Sequence, residues 1–271
     1  MRRPAPAKIN LALIVGPRRE DGRHEVTTLY QRVDLCDRIA LEPGAELSVT
    51  GFRADTLVRD ALSGLARAAG CDPRWTVEIE KRIPVAAGLG GGSSDAATAL
   101  LLANATLALA LPSSELHELG ASLGSDVPFF LEPGPQLGEG DGSRLSRVDL
   151  PQDYWVVIVL PKGAEKPSTA SVYEAFDRRG GDEGYDERRR AFLDALQRVR
   201  RAVDLAGLPL NDLTSSPLAR ELEELGAFRA DVTGAGPAVY GLFLHERPAR
   251  AAARALRRLG RTWISAPAWY G

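Results

Sequence analysis

Residues 88–95 read Gly-Leu-Gly-Gly-Gly-Ser-Ser-Asp, and this stretch joins a strand pattern to a helix pattern. Before it, residues 75–80 alternate apolar and polar side chains, which predicts a half-buried strand. After it, residues 96–111 form the most apolar run of the chain, which predicts a buried helix. That run is interrupted by polar residues and is shorter than the ~20 residues that a bilayer crossing needs.

A glycine-rich turn in this position suits a polyphosphate. Glycines let backbone N–H groups converge without obstruction by Cβ atoms, and the helix start adds unpaired donors and a partial positive charge. The Walker-type loop does not fit, because the chain contains no Gly-Lys pair. The dinucleotide fingerprint does not fit either, because it has Gly or Ala where Ser93 stands. The alternative is a flexible turn before a core helix, with no ligand.

The rest of the chain mixes strands and helices without strict alternation, which predicts an α+β protein. Further strands are expected over residues 8–15, 25–41 (one or two strands, with a break near 34–37), 154–160, around 230, 238–244 and 262–265. Further helices are expected over residues 56–69, 114–123, 186–205, 217–225 and 248–259. Glycines and prolines cluster over residues 131–147, which predicts a loop near a domain boundary. We therefore expect two domains, residues 1–150 and 151–271.

Composition excludes several classes of protein. The chain has 271 residues, 44% of them hydrophobic and 26% charged, which is ordinary for a globular protein and argues against disorder. The formal net charge is −2, so we expect neither nucleic acid nor a membrane as partner. Cys36 and Cys71 are too few for a disulfide framework or a four-thiolate metal site, so a reducing, cytoplasmic location is expected. The N-terminus lacks the cleavage site of a signal peptide.

Three motifs, in this order along the chain, resemble those of the GHMP kinase superfamily. Residues 6–11 read Pro-Ala-Lys-Ile-Asn-Leu, residues 84–97 contain the glycine turn, and residues 233–237 read Thr-Gly-Ala-Gly-Pro. The resemblance covers nearly the whole chain. It implies a two-domain GHMP kinase fold, with an N-terminal ribosomal-protein-S5-like ATP-binding domain and a C-terminal ferredoxin-like domain.

Residues 19–25, 124–130 and 211–213 narrow the resemblance to one branch of the superfamily. That branch uses ATP and Mg²⁺ to phosphorylate the 2-hydroxyl of a methylerythritol linked to cytidine diphosphate, in the non-mevalonate isoprenoid pathway. The resemblance thus implies ATP as co-substrate, Mg²⁺ as cofactor and a small-molecule substrate with a cytidine diphosphate moiety.

The resemblance also implies two catalytic residues, Lys8 and Asp126. Asp126 would orient the attacking hydroxyl and accept its proton, and Lys8 would lie beside it and keep the carboxylate ionised. Without the resemblance, Asp126 would be interpreted as an Asx-turn or helix-cap residue, and Lys8 would be interpreted as a surface lysine at a strand start. Lysine occurs only at positions 8, 81, 162 and 166, which makes each lysine more informative.

Residues of the glycine turn and of three other segments are implied in binding. The ATP-binding set is Pro84, Gly88, Leu89, Gly90, Gly91, Gly92, Ser93, Ser94 and Asp95, with Ser94 as the candidate contact for Mg²⁺ or the phosphates. The substrate-binding set is Asn10, Arg23, His24, Tyr173, Gly234 and Gly236. His24 would read the cytosine edge and Tyr173 would stack on the base. The alternatives are a satisfied core amide at Asn10, ordinary core packing at Tyr173 and a plain hairpin turn at the two glycines.

The chain departs from the branch at three places, and the first two, which concern cytosine recognition and nucleotide binding, remove no reacting group. Arg23 stands where the branch usually has Tyr, and its guanidinium either stacks on the base or points to solvent. The Asn-Leu pair that commonly contacts adenosine lacks its Asn near residues 55–58, and Pro237 stands where small residues are common.

Two other functions remain open at this point. The first is another small-alcohol GHMP kinase, such as one for homoserine, against which His24 and the Asp126-Val127-Pro128 segment count. The second is a nucleotide-binding sensor without catalysis, which would be free to lose Lys8 or Asp126.

Overall fold

The computed structural model describes residues 1–52, 56–164 and 168–268, and its strands form two sheets. The strands are β1 (Arg2–Arg18), β2 (His24–Pro43), β3 (Ser48–Thr50), β4 (Trp75–Glu80), β5 (Gln136–Gly140), β6 (Arg144–Arg147), β7 (Trp155–Pro161), β8 (Arg229–Val232), β9 (Val239–Phe243) and β10 (Gly260–Ser265). The α-helices are α1 (Leu57–Ala68), α2 (Gly91–Asn104), α3 (Ser113–Leu123), α4 (Thr169–Arg178), α5 (Tyr185–Leu196), α6 (Pro217–Glu224) and α7 (Glu246–Leu256). The α+β class predicted from the sequence is confirmed.

The first sheet is built on a long antiparallel hairpin of β1 and β2. On its other side, β2 pairs with β5 through its first half and with β4 through its second half. The break expected near residues 34–37 is a bulge within one continuous strand, because Pro6 pairs with Cys36 whereas Ala7 pairs with Val33. A proline cannot donate to the ladder, so an irregularity at Pro6 costs little.

The prediction of a loop over residues 131–147 is wrong, because the chain forms the hairpin of β5 and β6 there. Its glycines serve a turn and a close approach. Gly140 and Gly142 adopt φ values of +71° and +97°, which a glycine accommodates without strain. Gly138 lies within β5, where an added Cβ would come 2.7 Å from Cε2 of Tyr30. The hairpin is therefore packed directly against the side chain of Tyr30.

Two predicted helices have other bounds. Helix α2 begins at the glycine turn itself and ends at Asn104, whose side chain accepts from the N–H of Leu111 and donates to its carbonyl, folding the following segment back. Helix α5 ends at Leu196 instead of continuing to 205, because Asp204 accepts the backbone N–H groups of Arg200 and Arg201 and stabilises a turn.

Helix α4 and strand β3 were not predicted from the sequence. Helix α4 begins after Ser168, whose side chain accepts from the N–H of Ser171, and it buries Val172 and Phe176 on one face. Four-residue spacing of two apolar side chains is a weak helical signal in a short segment.

The second sheet has the antiparallel order β10-β7-β9-β8 and is covered on both faces. Alternate residues of β7 separate the two faces. Val157 and Val159 pack with the apolar residues of α6 and α7, whereas Val156 and Ile158 pack with those of β1. Strand β1 therefore belongs to the first sheet and also covers the second, which brings its early residues between the two.

The division at residues 150 and 151 stays a prediction. The segment after β10 returns to β2, where the Asp34 N–H donates to the Ala266 carbonyl and the Ala268 N–H donates to the Arg32 carbonyl. Within the described ranges, no helix has the length and apolar character needed to cross a membrane.

Candidate active site

A cavity of about 390 Å³ lies where the glycine turn, the start of β1, the third glycine motif and helix α4 meet. It is lined by most of the residues that the sequence motifs select: Lys8, Asn10, Pro84, Gly88, Leu89, Gly90, Gly91, Gly92, Ser93, Asp95, Asp126, Tyr173 and Gly234. Four selected residues lie beside the cavity without lining it, namely Arg23, His24, Ser94 and Gly236. The segments that the motifs select thus converge in space on one cavity.

The glycine turn presents the start of helix α2 to the cavity. Gly90 is the N-cap residue in a left-handed conformation, and no described side chain caps the helix start. The first N–H groups of α2 are therefore open to a ligand, with the partial positive charge of the helix terminus behind them. Gly88 has φ +84°, and an added Cβ there would come 2.4 Å from the Thr233 carbonyl oxygen. Only glycine lets this turn pass so close to the third motif.

Two buried oxygens lie in the first turn of α2, directly after the glycine turn (a position called the foot of the turn below). Among the described residues, neither Ser94 Oγ nor Asp95 Oδ1 has a hydrogen-bond partner. The other oxygen of Asp95 accepts from Lys81 Nζ at 2.6 Å, and Lys81 also donates to the fully buried Asp37. Burial raises the pKa of Asp95 to about 8, against the opposing effect of the Lys81 charge. Lys81 thus ties the strand before the turn to the first turn of α2.

Lys8 and Asp126 meet at the other wall of the cavity. Lys8 Nζ lies 3.4 Å from Asp126 Oδ2 and donates to Asn10 Oδ1 at 2.8 Å. The Lys8 side chain is only 4% exposed, so its ammonium is directed inward instead of lying on the surface, whereas Asp126 is 30% exposed toward the cavity. No described backbone N–H donates to the Asp126 carboxylate, which counts against the Asx-turn and cap interpretations.

Asn10 and the third glycine motif are joined by Thr233. Thr233 Oγ1 accepts from the Asn10 N–H at 3.1 Å and lies 3.3 Å from the Gly88 carbonyl oxygen. Asn10 is buried and also donates from Nδ2 to Thr28 Oγ1 at 2.8 Å, so the core-amide interpretation accounts for much of its bonding. Gly234 lines the cavity beside Lys8, whereas Gly236 donates its N–H to the Thr233 carbonyl and closes the turn.

His24 and Tyr173 form a stacked pair at the end of the cavity near α4. Their ring centroids are 4.7 Å apart with an interplanar angle of 28°. His24 Nε2 lies 2.6 Å from Asp177 Oδ1, and this hydrogen bond lowers the pKa of Asp177. Burial raises the pKa of Tyr173 to about 12, so its hydroxyl stays neutral at physiological pH. Tyr173 lines the cavity, and His24 stacks on its ring without lining the cavity itself.

Arg23 forms an ion pair, which neither interpretation of this residue anticipated. Its guanidinium pairs with the carboxylate of Asp141, which lies in the turn between β5 and β6 and lines the cavity. Asp141 is also held by the N–H and hydroxyl of Ser143, and these donors together with Arg23 lower its pKa. The segment near residues 55–58 lacks the Asn that commonly contacts adenosine. Its first residue, Asp55, lies outside the described residues.

Among the residues that line the cavity but were not selected from the sequence, three carry titratable side chains: Tyr30, Lys81 and Asp141. The scarcity of lysine was a usable signal for Lys81. Asp141 falls in the segment taken for a loop, and Tyr30 lies in a strand pattern where an aromatic residue reads as core.

Comparisons with known proteins agree with this arrangement. The family model described as GHMP kinases N terminal domain matches residues 56–134, and that described as GHMP kinases C terminal matches residues 215–262. A protein of Geobacter metallireducens named 4-diphosphocytidyl-2-C-methyl-D-erythritol kinase is 39% identical, over 93% of this chain and 92% of that protein. One of the same name from Geobacter sulfurreducens is 37% identical, over 97% of this chain and 96% of that protein.

Solved structures give the same result. A crystal structure of 4-(cytidine 5'-diphospho)-2C-methyl-D-erythritol kinase has a TM-score of 0.81 and 36% identity, with all of both chains covered. A crystal structure of mevalonate kinase has a TM-score of 0.73 at 15% identity, over 98% of this chain and 99% of that chain, which shows a shared fold.

Proposed function

We infer the chemistry of the cavity from one premise: the chain belongs to the family of 4-diphosphocytidyl-2-C-methyl-D-erythritol kinases, within the GHMP kinases. It is an ATP-dependent kinase that phosphorylates the 2-hydroxyl of 4-diphosphocytidyl-2-C-methyl-D-erythritol, a step of the non-mevalonate isoprenoid pathway. The observation that ties this activity to the structure is the Lys8–Asp126 pair, which shares one cavity with the open start of helix α2.

Asp126 orients the 2-hydroxyl and accepts its proton in this proposal. As the proton passes to the carboxylate, the hydroxyl oxygen bonds to the γ-phosphorus, and the bond from that phosphorus to the bridging oxygen of ADP breaks. Phosphoryl transfer has a loose transition state, so positioning of the hydroxyl matters more than the basicity of Asp126. Lys8 stabilises negative charge that develops nearby during the transfer.

The glycine turn and α2 hold the triphosphate of ATP. Converging N–H groups of residues 90–93 and the helix terminus bind the phosphate oxygens. Lys81 adds positive charge close to the turn. Its Nζ lies 3.4 Å from the position that a Cβ on Gly91 would occupy.

Mg²⁺ is the implied metal, and the oxygens at the foot of the turn fit it. In the described residues, no three His, Cys, Asp or Glu side chains gather into a metal site. Mg²⁺ in kinases is held largely by phosphates and water with one or two protein oxygens, so a dedicated cluster is not required. Ser94 Oγ and Asp95 Oδ1 are buried and have no hydrogen-bond partner among the described residues; they would hold the ion, and its charge would keep Asp95 ionised. Bound there with ATP, the ion would neutralise charge on the β- and γ-phosphates.

The cytidine end of the substrate lies toward Tyr173 in this proposal. Tyr173 stacks its ring on the base, and His24 orders that ring and contributes hydrogen bonds to the cytosine edge. Gly234 lets the backbone approach the diphosphate. The Arg23–Asp141 pair flanks the same region and takes the place of the usual aromatic residue. We also propose a cytoplasmic location, which rests on the free thiols of Cys36 and Cys71.

Release of ADP from Mg-ATP, measured against four alcohols, tests the function. The alcohols are diphosphocytidyl methylerythritol, homoserine, mevalonate and galactose. We expect turnover with the first alone. Turnover with another alcohol in its place would contradict the assigned substrate, and ATP binding without any turnover would favour the nucleotide sensor.

A further inference from the structure

The two oxygens of the Asp126 carboxylate have different partners. Oδ2 faces the ammonium of Lys8 at 3.4 Å, and Oδ1 accepts a hydrogen bond from the Tyr30 hydroxyl at 3.2 Å. Rotation of a carboxylate about its terminal bond is broad and nearly free in the absence of partners. One contact on each oxygen restricts that rotation, so the pair of partners sets the plane of the carboxylate.

Tyr30 is itself held firmly. The residue is 4% exposed, and its ring centroid lies 4.9 Å from that of Phe129. Lys8 Nζ lies 5.5 Å from the centroid of the same ring, at a distance typical of a cation–π contact. Behind the hydroxyl, an added Cβ on Gly142 would come 2.8 Å from Tyr30 Oη, so the hairpin of β5 and β6 closes that side. The hydroxyl thus has a fixed place at the wall of the cavity.

The hydroxyl also stays a donor. Burial, together with the negative charge of Asp126, raises the pKa of Tyr30 well above its usual value. The phenol is therefore protonated throughout the range in which a kinase is assayed, and it donates to the carboxylate at every pH of that range.

We propose that Tyr30 is a positioning residue for phosphoryl transfer: its hydroxyl holds Asp126 Oδ1 and turns Oδ2, beside Lys8, toward the attacking hydroxyl of the substrate. The proposal rests on the role of Asp126 put forward above. It also specifies that Oδ2 is the oxygen that receives the proton. Tyr30 acts through Asp126, so its loss should slow the chemical step and leave substrate binding unchanged.

The Tyr30→Phe variant tests this, because it removes one oxygen and keeps the ring packing. Hydrogen bonds to charged groups are among the stronger ones in proteins, so we expect kcat to fall roughly tenfold or more. The KM values for ATP and for diphosphocytidyl methylerythritol should stay close to those of the unaltered enzyme.

A second comparison separates positioning from general destabilisation. In the Asp126→Asn background, Tyr30→Phe should produce little further loss of kcat, because the two residues act as one unit. Tyr154→Phe is the matched control: Tyr154 is buried, its hydroxyl has no hydrogen-bond partner among the described residues, and it lies away from the cavity. This control should keep full turnover.

Each contrary result has a definite meaning. Full turnover of Tyr30→Phe beside an impaired Asp126→Asn variant overturns the role of Tyr30 alone. Full turnover of both variants overturns the role of Asp126 as well, and with it the proposed mechanism. A tenfold loss that recurs in the Asp126→Asn background, or a rise in substrate KM at constant kcat, also overturns positioning through Asp126.

Discussion

Asp126 is partly exposed toward the cavity and lies 3.4 Å from a buried lysine, and in the proposed mechanism it accepts the proton of the substrate hydroxyl. Asp126→Asn keeps the size of the side chain and removes its charge. Since a general base contributes ~10²–10⁴-fold, we expect turnover to fall by ~10² or more while ATP binding stays near normal. Steady-state kinetics and nucleotide titration measure the two effects.

Asp153→Asn is the control for this substitution, because Asp153 is exposed just before β7. It should leave turnover unchanged. An Asp126→Asn variant with normal turnover would show that another group accepts the proton.

In the proposed mechanism, His24 supports recognition of the base and does not take part in the chemical step. Its ring stacks on Tyr173, and its Nε2 is occupied by Asp177. We expect His24→Ala to raise KM for the cytidylyl substrate, with kcat and KM for ATP changed much less. His245→Ala, at the exposed residue before α7, is the control and should have no effect. A constant KM for the cytidylyl substrate in His24→Ala would show that the cytosine site lies elsewhere.

Among the secondary-structure elements, the glycine turn before α2 is held by its contact with the third motif as well as by its own conformation. Gly88 and Gly134 have nearly the same φ, +84° and +83°, but only Gly88 has a neighbour within reach of an added Cβ. Gly88→Ala and Gly134→Ala therefore share the backbone strain and differ in the clash with Thr233.

We expect Gly88→Ala to raise KM for ATP and to lower the midpoint of thermal unfolding more than Gly134→Ala does. A left-handed alanine alone costs ~1–2 kcal/mol, which the Gly134 variant measures separately. Equal effects of the two substitutions on KM for ATP would show that the close approach of the two motifs is not needed for binding.

At the scale of the whole molecule, Arg229 and Asp231 join strand β1 to the second sheet. The guanidinium of the buried Arg229 donates to the Leu11 carbonyl at 2.6 Å, and Asp231 Oδ2 lies 3.8 Å from it. Asp231 also accepts the N–H of Asn211 at 2.8 Å. This buried pair, with its hydrogen bonds, holds the two sheets around the cavity.

Asp231 should make the stability of the molecule depend on pH. Burial raises its pKa from 3.8 to about 6, so the folded state binds more protons than the unfolded state between these values. The stabilisation is fully present below the unfolded pKa and is lost as pH rises through the folded one. Relative to Asp231→Asn, the free energy of unfolding of the unaltered protein should fall by roughly 3 kcal/mol across this window.

Denaturant unfolding of both proteins at pH values on either side of the window measures this difference. The substitution itself changes stability at every pH, so only the change in the difference between the proteins is informative. A difference that stays constant with pH would show that Asp231 titrates at the same pH in both states.

Sequence patterns predicted the α+β class, the strands of both sheets apart from β3 and the β5–β6 hairpin, and the glycine turn before α2, and the resemblance to a known family predicted the grouping of Lys8 with Asp126. These features follow from local rules, namely side-chain periodicity and the backbone freedom of glycine, or from motifs in a fixed order. Local rules also explain the errors: glycines in residues 131–147 suggested a loop, because the partner that fills the space beside Gly138 lies far away in the chain.

The groups that complete the site are brought together by contacts between distant parts of the chain. Tyr30 and Asp126 are 96 positions apart, Arg23 and Asp141 are 118 apart, and Lys81 and Asp37 are 44 apart. Contacts at such separations depend on strand register and on how β2, β5 and α2 pack, which no local pattern encodes. The reaction class and most of the residues that line the cavity could therefore be predicted from the sequence, whereas the partners that orient these residues had to be observed.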